Sequence, residues 1–269
     1  MTAKVTILIP NYKTLELDKL CLRLIRKYTD LKLAKVVVID NASNDASLEY
    51  LKTVSWIELI ERQVIPNEGA ISSHSRALDL ALDRVTTPYV LSIHTDTLVK
   101  RPDWLPFLIN QIEANPNIAG VGSWKLESKP VWRQWLKSIE RAIQKPYFKL
   151  IGKDKHGLEG IGKNYYYLRS HCAMYRMDLL RKYNLHFSDG DKVAGKAMHQ
   201  SLIEAGHQMV FLPSDLLIPY LDHINHATTV LNPELSTRSK SVVKGMRRIK
   251  SSLARMNADE ILKDVSLDR

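Results

Sequence analysis

Residues 36–47 read VVVIDNASNDAS, a continuous apolar run that ends in an aspartate and a string of small polar residues. An unbroken run of β-branched residues predicts a strand that is buried on both faces, as in a parallel sheet covered by helices. The same pattern recurs at residues 4–12 (KVTILIPNY) and 89–97 (YVLSIHTDT). Because ligands bind beyond the carboxyl ends of such strands, these polar segments are expected to form one site.

Helical periodicity separates the apolar runs, which predicts alternating strands and helices in a largely parallel sheet covered by helices. The predicted helices are Leu15–Tyr28, Ser47–Lys52, Ile71–Val85, one that starts at Pro102, and Ala194–Ala205, which is expected to end at Gly206. The other predicted strands are Trp56–Ile60 and the aromatic stretch Tyr165–Tyr175. The chain therefore falls in the α/β class.

A formal net charge of +10 favours an acidic partner such as a phosphate-bearing ligand, a nucleic acid or an anionic membrane. Two segments, 132–145 and 238–256, combine an apolar stripe with basic residues. Such a helix either packs its stripe on the core or lies on a membrane surface. No recognised nucleic-acid-binding motif is present, so we expect no nucleic-acid partner.

Two isolated cysteines, Cys21 and Cys172, favour a reducing compartment. The sequence contains no apolar stretch of membrane-spanning length, and its first residues lack the features of a secretory signal. We therefore expect a cytoplasmic protein, with peripheral attachment to the inner face of the membrane as an alternative.

The strand-end motifs resemble glycosyltransferase family 2, whose members have the GT-A fold. The matching segments are VTILIPNY, VVVIDNASNDAS, Asn67-Glu68-Gly69 before Ser75-Arg76-Ala77, YVLSIHTDT, and Pro102-Asp103-Trp104-Leu105. The resemblance covers residues 4 to about 124. It implies a Rossmann-like GT-A domain over 1–232, with a nucleotide-sugar-binding half (1–124) and an acceptor-binding half (125–232), followed by a basic helical extension (233–269).

The resemblance also implies a donor site. Pro10 and Tyr12 would line the base pocket, with Asn11 between them, and Asp40 would accept a hydrogen bond from the base. Asn67 and Gly69 would form a turn beside the donor, and Arg76 would face the diphosphate, since a guanidinium matches phosphate geometry. The alternative for the strand-end residues is local capping of turns and helices, and for Arg76 a solvated helix position.

The metal motif departs from the family, whose usual pattern is two aspartates that flank one residue. Here His94 stands at the first position and Asp96 at the second. The resemblance implies that Asp96 and a late histidine, for which His223 is chosen over His226, bind Mn²⁺ or Mg²⁺. Imidazole favours Mn²⁺ of the two. His94 is left open between a ligand, a ribose or phosphate contact, and a cap.

The catalytic base is expected near the helix that ends at Ala205-Gly206. The position of the family's acidic pair falls at Ala194-Gly195, which has no carboxylate. Asp191 is therefore the predicted base and Asp189 the second candidate, against the alternative of an Asp-Gly turn without chemistry.

Together these features predict a metal-dependent, inverting glycosyltransferase. The expected donor is a UDP- or dTDP-sugar, and the expected acceptor is a hydroxyl of a polysaccharide, a glycolipid or a lipid-linked glycan of the cell envelope. The alternatives are a nucleotidyltransferase that acts on sugar phosphates and a degenerate nucleotide-sugar-binding protein without catalysis.

Overall fold

The computed structural model describes residues 2–126, 160, 164–191, 193–224, 230–232, 245–246, 249–251, 253–254 and 256–269. The strands are β1 Val5–Asn11, β2 Ala34–Asp40, β3 Glu58–Glu61, β4 Tyr89–Ile93, β5 Thr97–Val99, β6 Ile118–Gly122, β7 Cys172–Arg176, β8 Gln208–Phe211 and β9 Leu221–His223. The helices are α1 Leu15–Tyr28, α2 Ala46–Thr53, α3 Ala70–Leu82, α4 Trp104–Glu113, α5 Met177–Lys182, α6 Lys196–Glu204, α7 Ser214–Leu217 and α8 Ala258–Lys263, with 3₁₀ turns at Asp189–Asp191 and Val265–Asp268.

The main sheet has the strand order β3-β2-β1-β4-β7-β6-β8. Strands β1 to β4 are parallel, while β7 runs antiparallel between β4 and β6. Strands β5 and β9 form a separate antiparallel pair. Buried side chains pack on both faces of the sheet, which confirms the predicted α/β architecture with a mostly parallel sheet flanked by helices.

The first half of the chain follows the sequence prediction closely, and α1 and β4 have the predicted bounds. The predicted helix start at Pro102 is wrong by two residues, because Pro102 lies in a turn that the Trp104 N–H closes on the Arg101 carbonyl. The predicted strand Tyr165–Tyr175 is also wrong in its first part. The Leu168 N–H donates to the His199 ring and the Arg169 N–H to the Ser123 carbonyl, so the ladder begins only at Cys172.

Four short strands, β5, β6, β8 and β9, have no counterpart in the sequence prediction. They are three to five residues long, and β6 contains two glycines, so their periodicity is weak. Their pairing depends on contacts distant in sequence, such as the register of Thr97 with His223.

The described apolar residues of the basic segment 238–256 pack on the core. Ile249 is buried in the core cluster on the α1 face of the sheet, and Met246, Leu253 and Met256 pack against that cluster. Packing, one of the two alternatives predicted for this stripe, therefore applies to these residues. The segment 132–145, for which a helix was predicted, His226 and all the basic residues of 238–248 lie outside the described residues.

Residues near the C-terminus close over α1 and α2. Ala258 and Ile261 are buried in the same core cluster. The Arg23 guanidinium makes a two-pronged ion pair with Asp268, and the Trp56 indole N–H donates to the Leu267 carbonyl at 2.9 Å. None of the described helices has the length and apolar character needed to cross a bilayer.

Candidate active site

A cavity of 670 Å³ opens at the carboxyl edge of β1, β2 and β4. Six of the residues predicted for the site line it: Pro10, Asn11, Tyr12, His94, Asp96 and His223. They come from the end of β1 and the loop after it, from the loop after β4 and from the end of β9. The predicted convergence of strand ends is therefore present in the fold.

The loop after β2 is held to the end of β1 by side-chain hydrogen bonds. The Asn11 amide donates to Asp40 Oδ1 at 2.9 Å and to the Ser47 hydroxyl at 3.1 Å. The Ser43 N–H donates to Asp40 Oδ2 at 3.0 Å. Asp40 is 1% exposed and does not line the cavity. Both carboxylate oxygens of Asp40 accept hydrogen bonds that fix the loop after β2. The predicted contact of Asp40 with the nucleotide base stays a prediction.

A buried ion pair forms the wall of the cavity beyond β3. Arg62 pairs with Glu68 at 2.7 Å, and both side chains are nearly fully buried. Arg62 also donates to Asn41 Oδ1 at 2.8 Å and to the Ser73 hydroxyl at 3.1 Å. The hydrogen bond from Arg62 is the main cause of a lowered pKa of Glu68, so the carboxylate stays ionised and neutralises the guanidinium.

Arg76 lies outside this cavity wall. Its side chain is 51% exposed, and its guanidinium reaches Glu68 Oε1 at 3.3 Å. Asn67 adopts a left-handed turn conformation with φ of 61°, and Gly69 caps α3, so the predicted turn is present, but neither residue lines the cavity. The roles of these three residues toward a donor remain predictions.

His94, Asp96 and His223 bring two imidazoles and one carboxylate together on the cavity floor. Their nearest ligand atoms all lie within 4.8 Å of one another. His223 Nε2 is 3.3 Å from Asp96 Oδ1, and His94 Nδ1 is 3.8 Å from the same oxygen. Residues so distant in sequence meet because β5 pairs with β9, and the Ile224 N–H donates to the Asp96 carbonyl at 2.9 Å.

The ring of His94 is oriented by a hydroxyl that it shares with His74. The Ser170 hydroxyl lies 2.9 Å from His94 Nε2 and 3.0 Å from His74 Nε2. This contact leaves His94 Nδ1 on the side of Asp96. Burial, followed by the neighbouring His74, lowers the pKa of His94 to about 3. A neutral imidazole of this kind has a lone pair available for a metal ion.

The cluster fits a divalent metal. Among the described residues, neither ring nitrogen of His223 has a hydrogen-bonding partner, although the ring is buried. Two imidazoles with one carboxylate suit a first-row transition metal such as Mn²⁺ better than Mg²⁺, which prefers oxygen ligands alone. His94, left open by the sequence, thus lies where a third ligand would lie.

A second arginine, Arg169, also lines the cavity. Arg169 precedes β7, and its guanidinium lies over the Trp124 ring with 4.4 Å between Cζ and the ring centroid. Its Nε is buried and makes no hydrogen bond to the described residues. None of their carboxylates forms an ion pair with Arg169, in contrast to Arg62.

The two carboxylates predicted as the base lie in the turn before α6. Asp189 Oδ2 accepts a hydrogen bond from the His186 N–H at 2.8 Å, and Gly190 has φ of 70°. Asp189 thus stabilises an Asp-Gly turn, and it is not among the described residues that line the cavity. The side chain of Asp191 lies outside the described residues. The base assignment therefore stays a prediction.

The comparisons with known proteins agree with this geometry. A model of glycosyl transferase family 2 matches residues 6–184. The chain belongs to glycosyltransferase family 2. The match begins in β1 and extends past the loop of His94 and Asp96 and past β7, so it covers most of the residues that line the cavity. A search of curated proteins finds no match.

Solved structures of glycosyltransferases share the fold. The mannosyltransferase PcManGT from Pyrobaculum calidifontis, solved with GDP-Man and Mn²⁺, has a TM-score of 0.57 at 16% identity over 86% of this chain and 61% of its own. TarS from S. aureus has a TM-score of 0.55 at 15% identity over 86% of this chain and 63% of its own. The chain thus spans under two thirds of either protein.

A third neighbour is covered more fully. Glucosyl-3-phosphoglycerate synthase from Mycobacterium tuberculosis has a TM-score of 0.53 at 17% identity over 95% of this chain and 80% of its own. It has also been solved with Mn²⁺ and UDP. At these identities the likeness establishes the GT-A fold.

Sequence reasoning missed several residues of the site: Arg62, Glu68, His74, Arg169, Ser170 and His171. Arg62 directly follows β3, so the strand-end rule could have found it. Arg169 and Ser170 lay inside a segment that was interpreted as a strand, which concealed the loop that carries them.

Proposed function

We propose that this chain transfers a sugar from a nucleoside-diphosphate sugar to a hydroxyl acceptor, with a divalent metal held by His94, Asp96 and His223. The observation that carries the proposal is the convergence of these three ligands beside the strand ends of a family 2 domain. A UDP- or dTDP-sugar is the proposed donor, and Mn²⁺ the proposed metal.

The cavity divides into regions that suit the parts of such a donor. Tyr12, Ala42 and Val64 provide apolar surface beyond β1 and β2, where the base and ribose would bind. A divalent ion bound to the cluster would neutralise the diphosphate as it leaves. Ser170 would keep the His94 ring in place, since it fixes the ring nitrogen that faces away from Asp96.

The proposed reaction is a direct displacement at the anomeric carbon, which inverts its configuration. It requires a base within reach of the acceptor hydroxyl. Among the described residues, the carboxylates that line the cavity are Glu68 and Asp96. Glu68 is paired with Arg62, and Asp96 belongs to the metal cluster. Asp191 remains the proposed base.

A nucleotide-sugar-binding protein without transfer is the second candidate. It is favoured by the same lack of a spare carboxylate among the described lining residues, and by the absence of an acid at Ala194-Gly195. The two candidates differ in one measurement. Purified protein with Mn²⁺ and UDP-sugars would hydrolyse or transfer the donor if the first is right, whereas the second would bind the donor and leave it intact.

Contact with an anionic membrane and a lipid-linked acceptor are also part of the proposal. Because the described apolar residues of segment 238–256 pack on the core, the attraction would come from its basic side chains. The same extension, 233–269, is proposed as an addition to the GT-A domain, attached through the contacts of Asp268 with Arg23.

A further inference from the structure

Arg169 differs from the other arginine of the cavity wall in its charge balance. Arg62 is compensated by Glu68 and hydrogen-bonded by Asn41 and Ser73. Among the described residues, the rings next to Arg169 include Trp124 and the hydroxyl-bearing Tyr167, and no carboxylate of these residues forms an ion pair with it. Partial burial of a cation without a counter-charge costs free energy. Such a residue is therefore a candidate for binding a ligand that supplies the negative charge.

The in-plane N–H groups of the Arg169 guanidinium are available to bind an oxyanion. The Arg169 Cζ lies over the Trp124 ring, 4.4 Å from its centroid, and this cation–π contact restrains the guanidinium plane. The N–H donors lie in that plane, where they match the spacing of two oxygens of a phosphate or carboxylate. The position is fixed by the backbone as well, because the Arg169 N–H donates to the Ser123 carbonyl at 3.0 Å beside Trp124.

The strand order indicates which substrate would carry the anionic group that Arg169 binds. Across the cavity edge the order is β3-β2-β1-β4-β7-β6. The proposed base pocket lies at β1 and β2, and the metal ligands His94 and Asp96 follow β4. Arg169 precedes β7 and Trp124 follows β6, so both lie beyond the metal cluster from the nucleoside. In the proposed function, the transferred sugar and the acceptor would lie on that side, away from the nucleoside.

We propose that Arg169, held on Trp124, binds a phosphate or carboxylate group of the acceptor. The inference rests on the proposed function, which it extends by assigning the acceptor to a chemical class: a hydroxyl compound that carries an oxyanion. The neighbouring aromatic Tyr166, whose ring meets Trp124 edge-on at 5.2 Å, supplies apolar surface next to that anion.

The test uses small probes that share this chemistry. Full-length protein with Mn²⁺ and saturating UDP is titrated with glycerol 1-phosphate, with glycerate and with uncharged glycerol, and binding is followed by isothermal titration calorimetry. The phosphate or the carboxylate probe should saturate the wild type, while glycerol should not. Failure of both anionic probes to bind would overturn the proposal.

Substitutions of Arg169 then test whether this residue binds the anionic probe. Arg169→Gln should weaken the anionic probe by about tenfold to a hundredfold, and Arg169→Lys by less, because one charged hydrogen bond is lost or rearranged. The matched control is Arg101→Gln, another arginine stacked on an aromatic ring, at 4.8 Å from Tyr220, and outside the cavity. It should leave the probe affinity unchanged. Each variant is first checked for an unaltered melting temperature.

Measurement of UDP affinity separates this inference from the proposed function. UDP affinity in the presence of Mn²⁺ should change less than about threefold in Arg169→Gln, since a change of that size is under 1 kcal/mol. An equal loss of UDP and probe affinity would mean that Arg169 serves the donor diphosphate, which contradicts the proposal. Absence of UDP binding to the wild type would refute the donor site, while the probe titration with metal alone would still test Arg169.

Discussion

At the scale of single residues, the site depends on a histidine in a position where the family usually has an aspartate. The family pattern predicted Asp96 and His223 as ligands, and the fold places the two side chains together. The place of His94 in the same cluster could not be predicted, because it depends on the contact with Ser170 from a distant loop. Sequence motifs carry the identity of such residues but not the direction in which their rings point.

Asp96→Ala is expected to abolish metal-dependent turnover while the melting temperature changes little. Loss of a ligand should lower Mn²⁺ affinity by more than about a hundredfold, since even the outer partners of metal ligands contribute about tenfold to a hundredfold. Manganese titration by electron paramagnetic resonance, together with a turnover assay, measures both effects. A variant with full Mn²⁺ affinity would remove Asp96 from the metal site.

His94→Asp is the matched variant, because it restores the usual two-aspartate pattern. We expect it to keep metal binding and to shift the preference toward Mg²⁺, since an oxygen ligand replaces an imidazole nitrogen. The ratio of Mn²⁺ to Mg²⁺ affinities measures this shift. An unchanged ratio would show that His94 does not touch the ion.

The base assignment is tested with a pair of neighbouring variants. Asp191→Asn should lower the turnover rate by about a hundredfold to ten-thousandfold with little change in donor affinity. Asp189→Asn should be much milder in rate, because its carboxylate already serves the His186 N–H in the turn. The reverse order would transfer the role to Asp189, and two active variants would place the base elsewhere.

At the scale of elements, predictions succeeded where a segment carries its own periodicity and failed where pairing is remote. Helix α1 and strand β4 show clear patterns and were predicted with correct bounds. Strands β5 and β9 are three residues each and exist through their mutual pairing. The loop of Arg169 was missed for the same reason, since its backbone is satisfied by Ser123 and by β7 rather than by a regular ladder.

The docking of the C-terminal turn on α1 is expected to depend on pH. Burial opposes the ionisation of Asp268, but hydrogen bonds from Arg23 and Tyr50 outweigh it and lower the pKa of the carboxyl. A carboxyl with a lowered folded-state pKa contributes its full stability above its unfolded value, about 3.9, and loses it as the pH falls through the lower folded value.

Asp268→Asn should therefore reduce the free energy of unfolding by about 1.5–3 kcal/mol at pH 7, the range for hydrogen bonds to charged groups. The difference from the wild type should shrink as the pH falls below about 4. Urea unfolding at several pH values gives the comparison. Asp259→Asn, an exposed change in α8, serves as the control. A pH-independent difference would contradict the ion-pair account.

At the scale of the whole molecule, the net charge of +10 favours contact with an anionic surface. Full-length protein should pellet with anionic vesicles at low salt and be released at high salt. Each basic residue near an anionic surface contributes about 1 kcal/mol, and the attraction fades beyond the Debye length. Liposome co-sedimentation measures this, with neutral vesicles as the comparison.

Truncation before Arg238 is a poor control for that experiment, because it would remove Ile249, Ile261 and Asp268 from the fold. Replacing the basic residues between Arg238 and Arg248 with glutamine keeps the packing residues and removes the charge. That variant should pellet less. Equal pelleting with neutral and anionic vesicles, or none with either, would eliminate the membrane contact and leave the enzyme proposal unaffected.

The central claim is that the strand-end cavity binds a nucleoside diphosphate with a metal. Thermal shift of the wild type against UDP, dTDP and GDP, each with and without Mn²⁺, tests it most directly. UDP or dTDP should raise the melting temperature, and Mn²⁺ should enlarge the rise. Ligand at a hundredfold excess over its dissociation constant adds about 2.7 kcal/mol. In Asp96→Ala the enlargement by Mn²⁺ should disappear. No shift with any nucleoside diphosphate, with metal or without, would contradict the account.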